Sequence, residues 1–448
     1  MTNLPASILH SFAIFAQLFS RPVFQNILQL MKGHILCKGR RTIADLLRQL
    51  GLKNIKNYSK FHWVFSEAKW STIQGSKLLL ISLSKICSRD IVISIDSTIE
   101  RRKGEKIKGL GRQRDAARST KGNKILTIGL NWLVCAIHVN FPWADKVWAC
   151  PFFTVLMPPE RPLRSSKNKS DLTKKRRHKT LNHWASQCVH LFARWIGNIK
   201  NITIVADSAF ATYLLANTCI DKSVNLVSRM RLDARTFDFP KANKRGRPRL
   251  VGKRLPTFEK IAKDSFQDWS KATVKWYGSS LKSLPIISGI CLWYGYGIRP
   301  VPIKWVIVKT GSQTSVFFST NLKHTPERII EIFVERWQLE VTFEESRRHL
   351  GIETQRQWSD RAIDRTTPCL LASYSIINLM AYDLTNEKNK SVTTQQASWY
   401  KKDHICFSDV ISYLRLEILK TEYFSQIKKN RNLKKNHLLE VLELMAAA

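Results

Sequence analysis

Two short runs, Ile91-Val92-Ile93-Ser94-Ile95 and Ile202-Thr203-Ile204-Val205-Ala206, most narrow the folds open to this chain. Each is a nearly continuous apolar stretch rich in β-branched residues, the pattern of a strand buried on both faces. Such strands need helices above and below, which points to an α/β sheet. Each run ends on an aspartate, Asp96 and Asp207. Open α/β sheets collect functional groups at the carboxyl ends of their strands, so both aspartates are candidates for chemistry.

The surrounding pattern fits one sheet. Strand-like runs at 125–138 and 147–156 follow the first, a helix pattern at 181–195 precedes the second, and a helix (213–219) and a strand (224–228) come after it. Three strands and then strand–helix–strand is the order expected of an RNase H-like sheet. Residues 231–322 break the alternation with Pro240, Pro248, Pro256, Pro285, Pro300 and Pro302 and short strand-like runs, and read as a mostly β insertion. Long helix patterns return at 326–350 and 369–382. Ahead of the sheet, apolar positions recur at three and four in 8–19, 23–31 and 43–50, punctuated by Gly33, Gly39 and Gly51. The expected architecture is α/β: an RNase H-like mixed sheet flanked by helices, with a β-rich insertion and helical N- and C-terminal regions. Its boundaries are a helical module at 1–85, the sheet domain at 86–230, the insertion at 231–322, the rest of the sheet domain at 323–390, and a basic region at 391–448.

Charge narrows the partner. Across 448 residues, 73 Lys and Arg stand against 34 Asp and Glu, a formal net charge of +39. With 44% hydrophobic residues, 14 Trp and 21 Phe, the chain builds real cores and is no basic tail. An excess of this size excludes an ordinary metabolic enzyme and calls for a polyanion, nucleic acid before an anionic membrane surface. No stretch approaches the ~20 apolar residues of a spanning helix. The first 19 residues lack a basic start and a small-residue cleavage site, so an intracellular protein is expected. The nine cysteines are scattered without a C-x-x-C pair and read as free thiols.

Basic residues concentrate at 161–179, 241–254 and 428–435, segments expected to flank or grip DNA. In Lys38-Gly39-Arg40-Arg41-Thr42, a basic loop feeds a helix. There Arg40 and Arg41 could hold DNA phosphates, with a plain solvated loop the equal alternative. Arg245 and Arg247, in an extended Arg-Gly-Arg-Pro, suit either phosphate tracking or insertion into a narrow minor groove.

A third carboxylate completes a set. Along 326–350, Phe333, Arg336, Glu340 and Arg347 recur at spacings of three, four and seven, on or near one helix face. Two strand-end aspartates and one helix glutamate are the donors that two-metal phosphoryl transfer requires, two Mg²⁺ roughly 3.5–4 Å apart bridged by carboxylates. Hard oxygen ligands select Mg²⁺ or Mn²⁺ over zinc. Arg336 and Arg347 would bind phosphates beside the scissile bond. Glu335, Glu344 and Glu345 fall out of register and read as solvated or salt-bridged.

At these residues the chain resembles bacterial insertion-sequence transposases of the DDE type, whose signature helix reads Tyr-x2-Arg-x3-Glu-x6-Lys. The matching positions are Phe333, Arg336, Glu340 and Arg347. Similar stretches are SIDSTIERRKGEKIKG around Asp96, VADSAFATYLLA around Asp207, WACPFFTVLMPPERP, and FVERWQLEVTFEESRRHLGIETQRQWSDRAIDRTTPCLL, within roughly residues 35–415. Phe333 lacks the signature hydroxyl, and Arg347 trades a point charge for a planar fork.

The resemblance implies a DNA transposase with Asp96, Asp207 and Glu340 as catalytic residues and ligands of two Mg²⁺ or Mn²⁺. It would cut the element's ends and join the freed 3′-hydroxyls to target DNA. Its partners would be double-stranded DNA, both terminal inverted repeats and target, and a second copy of itself in a synaptic dimer; no membrane is involved. A bacterial, cytoplasmic, nucleoid-associated location follows. The resemblance also brings in an aromatic of the insertion that stacks on a flipped base, for which Trp276, Tyr277, Trp293 and Tyr294 are available, although core packing is the expectation for each. From another class, the alternative is a catalytically silent, transposase-derived DNA-binding or repressor protein.

Overall fold

The computed structural model describes residues 4–115, 118–120, 122–160, 178–241, 248–277, 280–311, 313–427 and 445. Helices come first: α1 (Ala6–Ala13), α2 (Arg21–Leu36), α3 (Ile43–Gln49), α4 (Ser59–Ser66) and α5 (Thr72–Ile86). The sheet domain opens with β1 (Asp90–Arg101), β2 (Gly111–Arg114), β3 (Leu126–Val139) and β4 (Trp148–Met157). It continues through α6 (Leu181–Ile196), β5 (Asn201–Ala206), α7 (Tyr213–Asp221) and β6 (Asn225–Met230). Next come β7 (Thr236–Phe237), α8 (Phe258–Lys263), β8 (Ser270–Lys275), β9 (Leu281–Trp293), β10 (Val301–Thr310) and β11 (Gln313–Ser319). The chain then returns through α9 (Pro326–Glu335), α10 (Trp337–His349), α11 (Asp360–Lys388) and α12 (Phe407–Ile427).

β4, β3 and β1 pair antiparallel, while β1, β5 and β6 pair parallel, giving the order β4-β3-β1-β5-β6 of an RNase H-like mixed sheet. The insertion adds strands to that same sheet. β11 pairs antiparallel with β6, and β10, β9, β8 and β7 continue outward, so all eleven strands form one sheet. Without β11, the apolar β6 would be an open edge.

Both faces of the central strands are covered, as their unbroken apolar runs require. Ile91, Ile93, Ile95, Ile202 and Ile204 pack on one side in a core shared with α1, α5, α6, α11 and α12. On the other, Val92, Val205 and Val227 meet Ile329, Ile330 and Phe333 of α9, and Trp132 and Val134 meet Leu339 and Phe343 of α10.

Three details depart from the sequence pattern. β1 continues beyond Asp96 to Arg101 because β3 goes on pairing with it, Asp96 opposite Val134 and Arg101 opposite Gly129. Gly33 lies inside α2, since Leu46 Cβ of α3 would come within 3.1 Å of a side chain there. The 391–448 region, expected to be basic, places Val410, Ile411, Leu414 and Ile418 of α12 in the main core. Among the described residues no helix is long and apolar enough to cross a membrane, and all nine cysteines are free.

Candidate active site

Strand register brings the two aspartates together. β1 and β5 pair in parallel from Asp90 opposite Asn201 to Ile95 opposite Ala206, so Asp96 and Asp207 follow the same last rung on neighbouring strands. Asp207 leaves its strand to cap a short 3₁₀ turn, its Oδ1 accepting from Ala209 N at 2.9 Å. Ser228 Oγ of β6 donates to the Asp207 carbonyl at 2.8 Å. Asp96 stays in β1, on the face that carries Val92 and Ser94, and its Oδ1 accepts from Ser97 N at 2.7 Å.

The helix expected over 326–350 divides at Arg336, between α9 and α10. From that break the guanidinium reaches both sides: Nη1 donates to Asp96 Oδ2 at 3.0 Å and Nη2 to Glu340 Oε1 at 3.1 Å. It also lies over the Phe333 ring, 5.6 Å from its centroid. Phe333 itself is buried against Phe317, with ring centroids 4.4 Å apart. A tyrosine there would have to place its hydroxyl in a packed core.

Arg336 thus supplies the positive charge between Asp96 and Glu340. Its Nε is buried without a hydrogen-bond partner. Among the described residues no group of three His, Cys, Asp or Glu converges closely enough to hold a metal ion. Burial pushes the Asp96 carboxyl up to about 6, and the negative charges of Asp207 and Glu340 add to the rise, while Arg336 and the Ser97 N–H oppose it.

A model of the DDE superfamily endonuclease family matches residues 14–281. The chain belongs to this family. The matched span holds Asp96 and Asp207 and ends before α9; within this DDE superfamily endonuclease the Arg336 bridge ties Glu340 to Asp96. Membership gives a nuclease- or transposase-like function at the level of the family. No curated protein matches the chain.

The raised Asp96 carboxyl has a consequence for the endonuclease's stability. Burial holds the folded carboxyl at about 6, above the 3.8 of an ordinary aspartate, so its charge destabilises the folded state fully above about pH 6 and not at all below the lower value. Asp96→Asn is therefore expected to stabilise the protein at pH 7.5 by about 2–3 kcal/mol, a gain that shrinks as pH falls through 6 toward 4. Urea midpoints at several pH values measure it, and equal midpoints for both proteins at pH 7.5 would contradict it.

The remaining sequence candidates are placed differently. Arg347 of α10 donates from Nη2 to Thr98 Oγ1 at 2.9 Å and from Nε to Glu353 Oε1 at 3.4 Å, one strand position pair beyond Asp96. Arg40 is exposed. Arg41 is buried, its guanidinium bonded to the carbonyls of His34, Gly39 and Cys37, and so it braces the α2–α3 connection and offers nothing to a phosphate. Arg245 and Arg247 lie outside the described residues, as do 161–177 and 428–435 of the basic segments. Glu335 and Glu344 are salt-bridged, to Arg328 and Arg348 respectively, whereas Glu345 lies 3.4 Å from His349, an imidazole that burial and neighbouring cations push down to about 4 and so keep neutral.

Two aromatics on the rim were not singled out by spacing. Tyr277, which follows β8, and Trp337, which opens α10, are each 46% exposed and meet edge-on at 6.1 Å. Burial raises the Tyr277 hydroxyl, with Arg336, Glu340 and Arg229 close enough to act on it. Trp337 had a signal, since it precedes Glu340 by three residues on one helix. Tyr277 is among the aromatics of the insertion that the resemblance makes available, but spacing does not place it beside α10, because only the sheet brings it there. Trp293, by contrast, is buried in a stack on Tyr213, 4.2 Å between centroids.

Proposed function

We propose that this endonuclease is a DNA transposase that cuts the ends of an insertion sequence and joins the freed 3′-hydroxyls to target DNA, with Asp96, Asp207 and Glu340 as its catalytic carboxylates. The observation that carries the reading is the shared rung of Asp96 and Asp207, with Glu340 linked to Asp96 through Arg336. Three carboxylates are the hard oxygen donors that take Mg²⁺ or Mn²⁺, and Arg336, which bonds Asp96 and Glu340 in their place, would have to give way for such ions to be held. When bound, such ions supply Lewis-acid charge for the attacking and departing oxygens of an in-line displacement.

The protein's own groups do the positioning. Backbone N–H bonds from Ser97 and Ala209 fix one oxygen each of Asp96 and Asp207, and the second oxygen of Asp96 accepts from Arg336. Arg336 balances the carboxylates without DNA and is near enough to turn to a phosphate when one arrives. Arg347 and the exposed Arg40 provide further phosphate contacts, and Arg245 and Arg247, outside the described residues, are assigned the same role from the sequence. Strand joining exchanges one phosphodiester bond for another, so no external energy source is needed. Because two element ends are joined in one event, a homodimer bound to both inverted repeats is the working assembly, in the bacterial nucleoid.

The experiment is cleavage of a duplex that spans an element end and its flank, in Mg²⁺ and in EDTA. The expected result is a cut at the boundary that leaves a 3′-hydroxyl in Mg²⁺ and no cut in EDTA. End binding without cleavage in either would establish the silent repressor instead, and the absence of duplex binding would defeat both readings.

A further inference from the structure

Alternate residues of β1, Ser94, Asp96, Thr98 and Glu100, share one face, and Thr98 is where Arg347 lands. Arg101 ends the same strand, its Nη2 donating to Asp115 Oδ2 at 2.9 Å and its Nη1 facing Glu353 Oε2 at 3.9 Å. The other oxygen of Glu353 accepts from Arg347 Nε at 3.4 Å. A single carboxylate therefore sits between two guanidiniums, one from the strand of Asp96 and one from the helix of Glu340. Arg118 is also engaged with Asp115, at 3.8 Å.

Glu353 holds that place in a backbone conformation that side chains resist. Its φ is 72°, in the left-handed region that favours glycine, and Gly351 two residues earlier has φ 74°. Gly351 is also pressed against Arg41, whose Cβ lies 2.9 Å from where a side chain would begin. The loop is thus fixed by packing, and a glutamate is retained where glycine or asparagine would be unstrained. Both arginines are about two-fifths exposed, whereas Glu353 is about one-fifth exposed, so the carboxylate is the inner member and the guanidiniums open outward.

Two arginine forks and a threonine hydroxyl are the donors that recognise a phosphate diester. We infer that Arg101, Arg347 and Thr98 form a binding site for a backbone phosphate of DNA beside the catalytic carboxylates, and that Glu353 fills this site until DNA displaces it. The inference rests on the transposase reading for its ligand. It adds to that reading two donors, Arg101 and Thr98, and an internal anion that competes with DNA.

The competition fixes the sign of the test. Binding of a labelled, unmodified duplex is followed by fluorescence anisotropy across a salt series for the full chain and for Glu353→Gln, Glu353→Gly, Arg101→Gln and the Glu353→Gln/Arg101→Gln pair. Removing the carboxylate frees guanidinium charge for one more phosphate, so Glu353→Gln should bind about three- to tenfold tighter at low salt, with a log–log salt slope steeper by about one. Glu353→Gly, which also relieves the backbone, should shift the same way and guards against a misfolded glutamine variant. Arg101→Gln should weaken binding and flatten the slope, and in the pair the gain from Glu353→Gln should largely vanish. Weaker or unchanged binding by both Glu353 variants, while the unaltered protein binds the duplex, overturns the inference and leaves the transposase reading standing. If the unaltered protein shows no salt-dependent duplex binding, the transposase reading fails and this inference with it.

Discussion

Glu340→Gln should lower cleavage of end DNA by about 10³-fold or more while leaving binding of that DNA intact. The substitution keeps the side chain's volume and an oxygen that can accept from Arg336 Nη2, so the bridge to Asp96 survives. What disappears is one negative charge facing the reacting phosphate, the charge that any cation held there requires. Binding should be unchanged or slightly tighter, because a repulsive group has gone from a phosphate-binding surface. Stability should stay within about 0.5 kcal/mol, since the side chain is more than a third exposed. The control is Glu344→Gln on the same helix, whose carboxylate is two-thirds exposed and paired only with Arg348 at 2.8 Å. It should cleave like the unaltered protein. Gel assays of cut product beside anisotropy of the bound duplex separate the two effects. Equal losses at Glu340 and Glu344 would show that helix charge in general, not this one position, supports the reaction.

The contrast between these glutamates shows how far residue patterns reach in this protein. Helical spacing singled out Glu340 because it keeps register with Arg336 and Arg347, and the structure turns Arg336 toward Asp96. Spacing could not foresee that the helix breaks at Arg336, for the residues on both sides are good helix formers. The break follows from packing, as α9 sits over β6 and β11 while α10 sits over β3 and β4. The strands at 202–206 and 224–228 were visible because burial on both faces demands unbroken apolar sequence. β1 was read too short for the converse reason. Past Ile95 its polar residues alternate as Asp96, Thr98 and Glu100, and an apolar-run criterion takes polarity for a strand end. Those residues still belong to the strand, because β3 pairs with it and each finds a partner on α10, on α11 or at the helix break. Long-range partners of this kind leave no mark in local sequence, which is also why Arg41 looked available to DNA and is instead buried on backbone carbonyls.

Glu100 ends that polar row and should dominate the stability of the site's scaffold. It is 1% exposed, and its carboxylate accepts from Arg102 Nη1 at 2.8 Å, Trp132 Nε1 at 2.8 Å and Thr367 Oγ1 at 2.7 Å. The three donors come from the end of β1, from β3 and from α11, so one side chain ties the sheet to the helix that covers it. Glu100→Ala would leave the buried Arg102 without its counter-charge and the Trp132 N–H without an acceptor. Breaking such a pair from one side costs about 3–5 kcal/mol, a large share of the roughly 5–15 kcal/mol that holds most domains folded. Glu100→Gln keeps an acceptor for Trp132 and Thr367 but turns its amide NH2 toward Arg102, which loses both counter-charge and acceptor, so a loss of about 2–4 kcal/mol, below that of Glu100→Ala, is expected. Replacing both partners, as Glu100→Leu with Arg102→Met, should recover much of the deficit, because neither charge is then buried alone. Urea midpoints at unchanged slope report the series. If Glu100→Ala cost less than about 1 kcal/mol, water would have to reach Arg102 in the folded protein, and the network would be a surface feature. Arg102 Nη2 also donates to the Gln357 carbonyl, in the loop that carries Glu353 away from α10. A carboxylate well outside the reaction therefore secures the floor beneath Asp96 and one wall of the phosphate site. Loss of cleavage in Glu100→Ala should track loss of fold with rising urea, whereas in Glu340→Gln it should be complete before any denaturant is added.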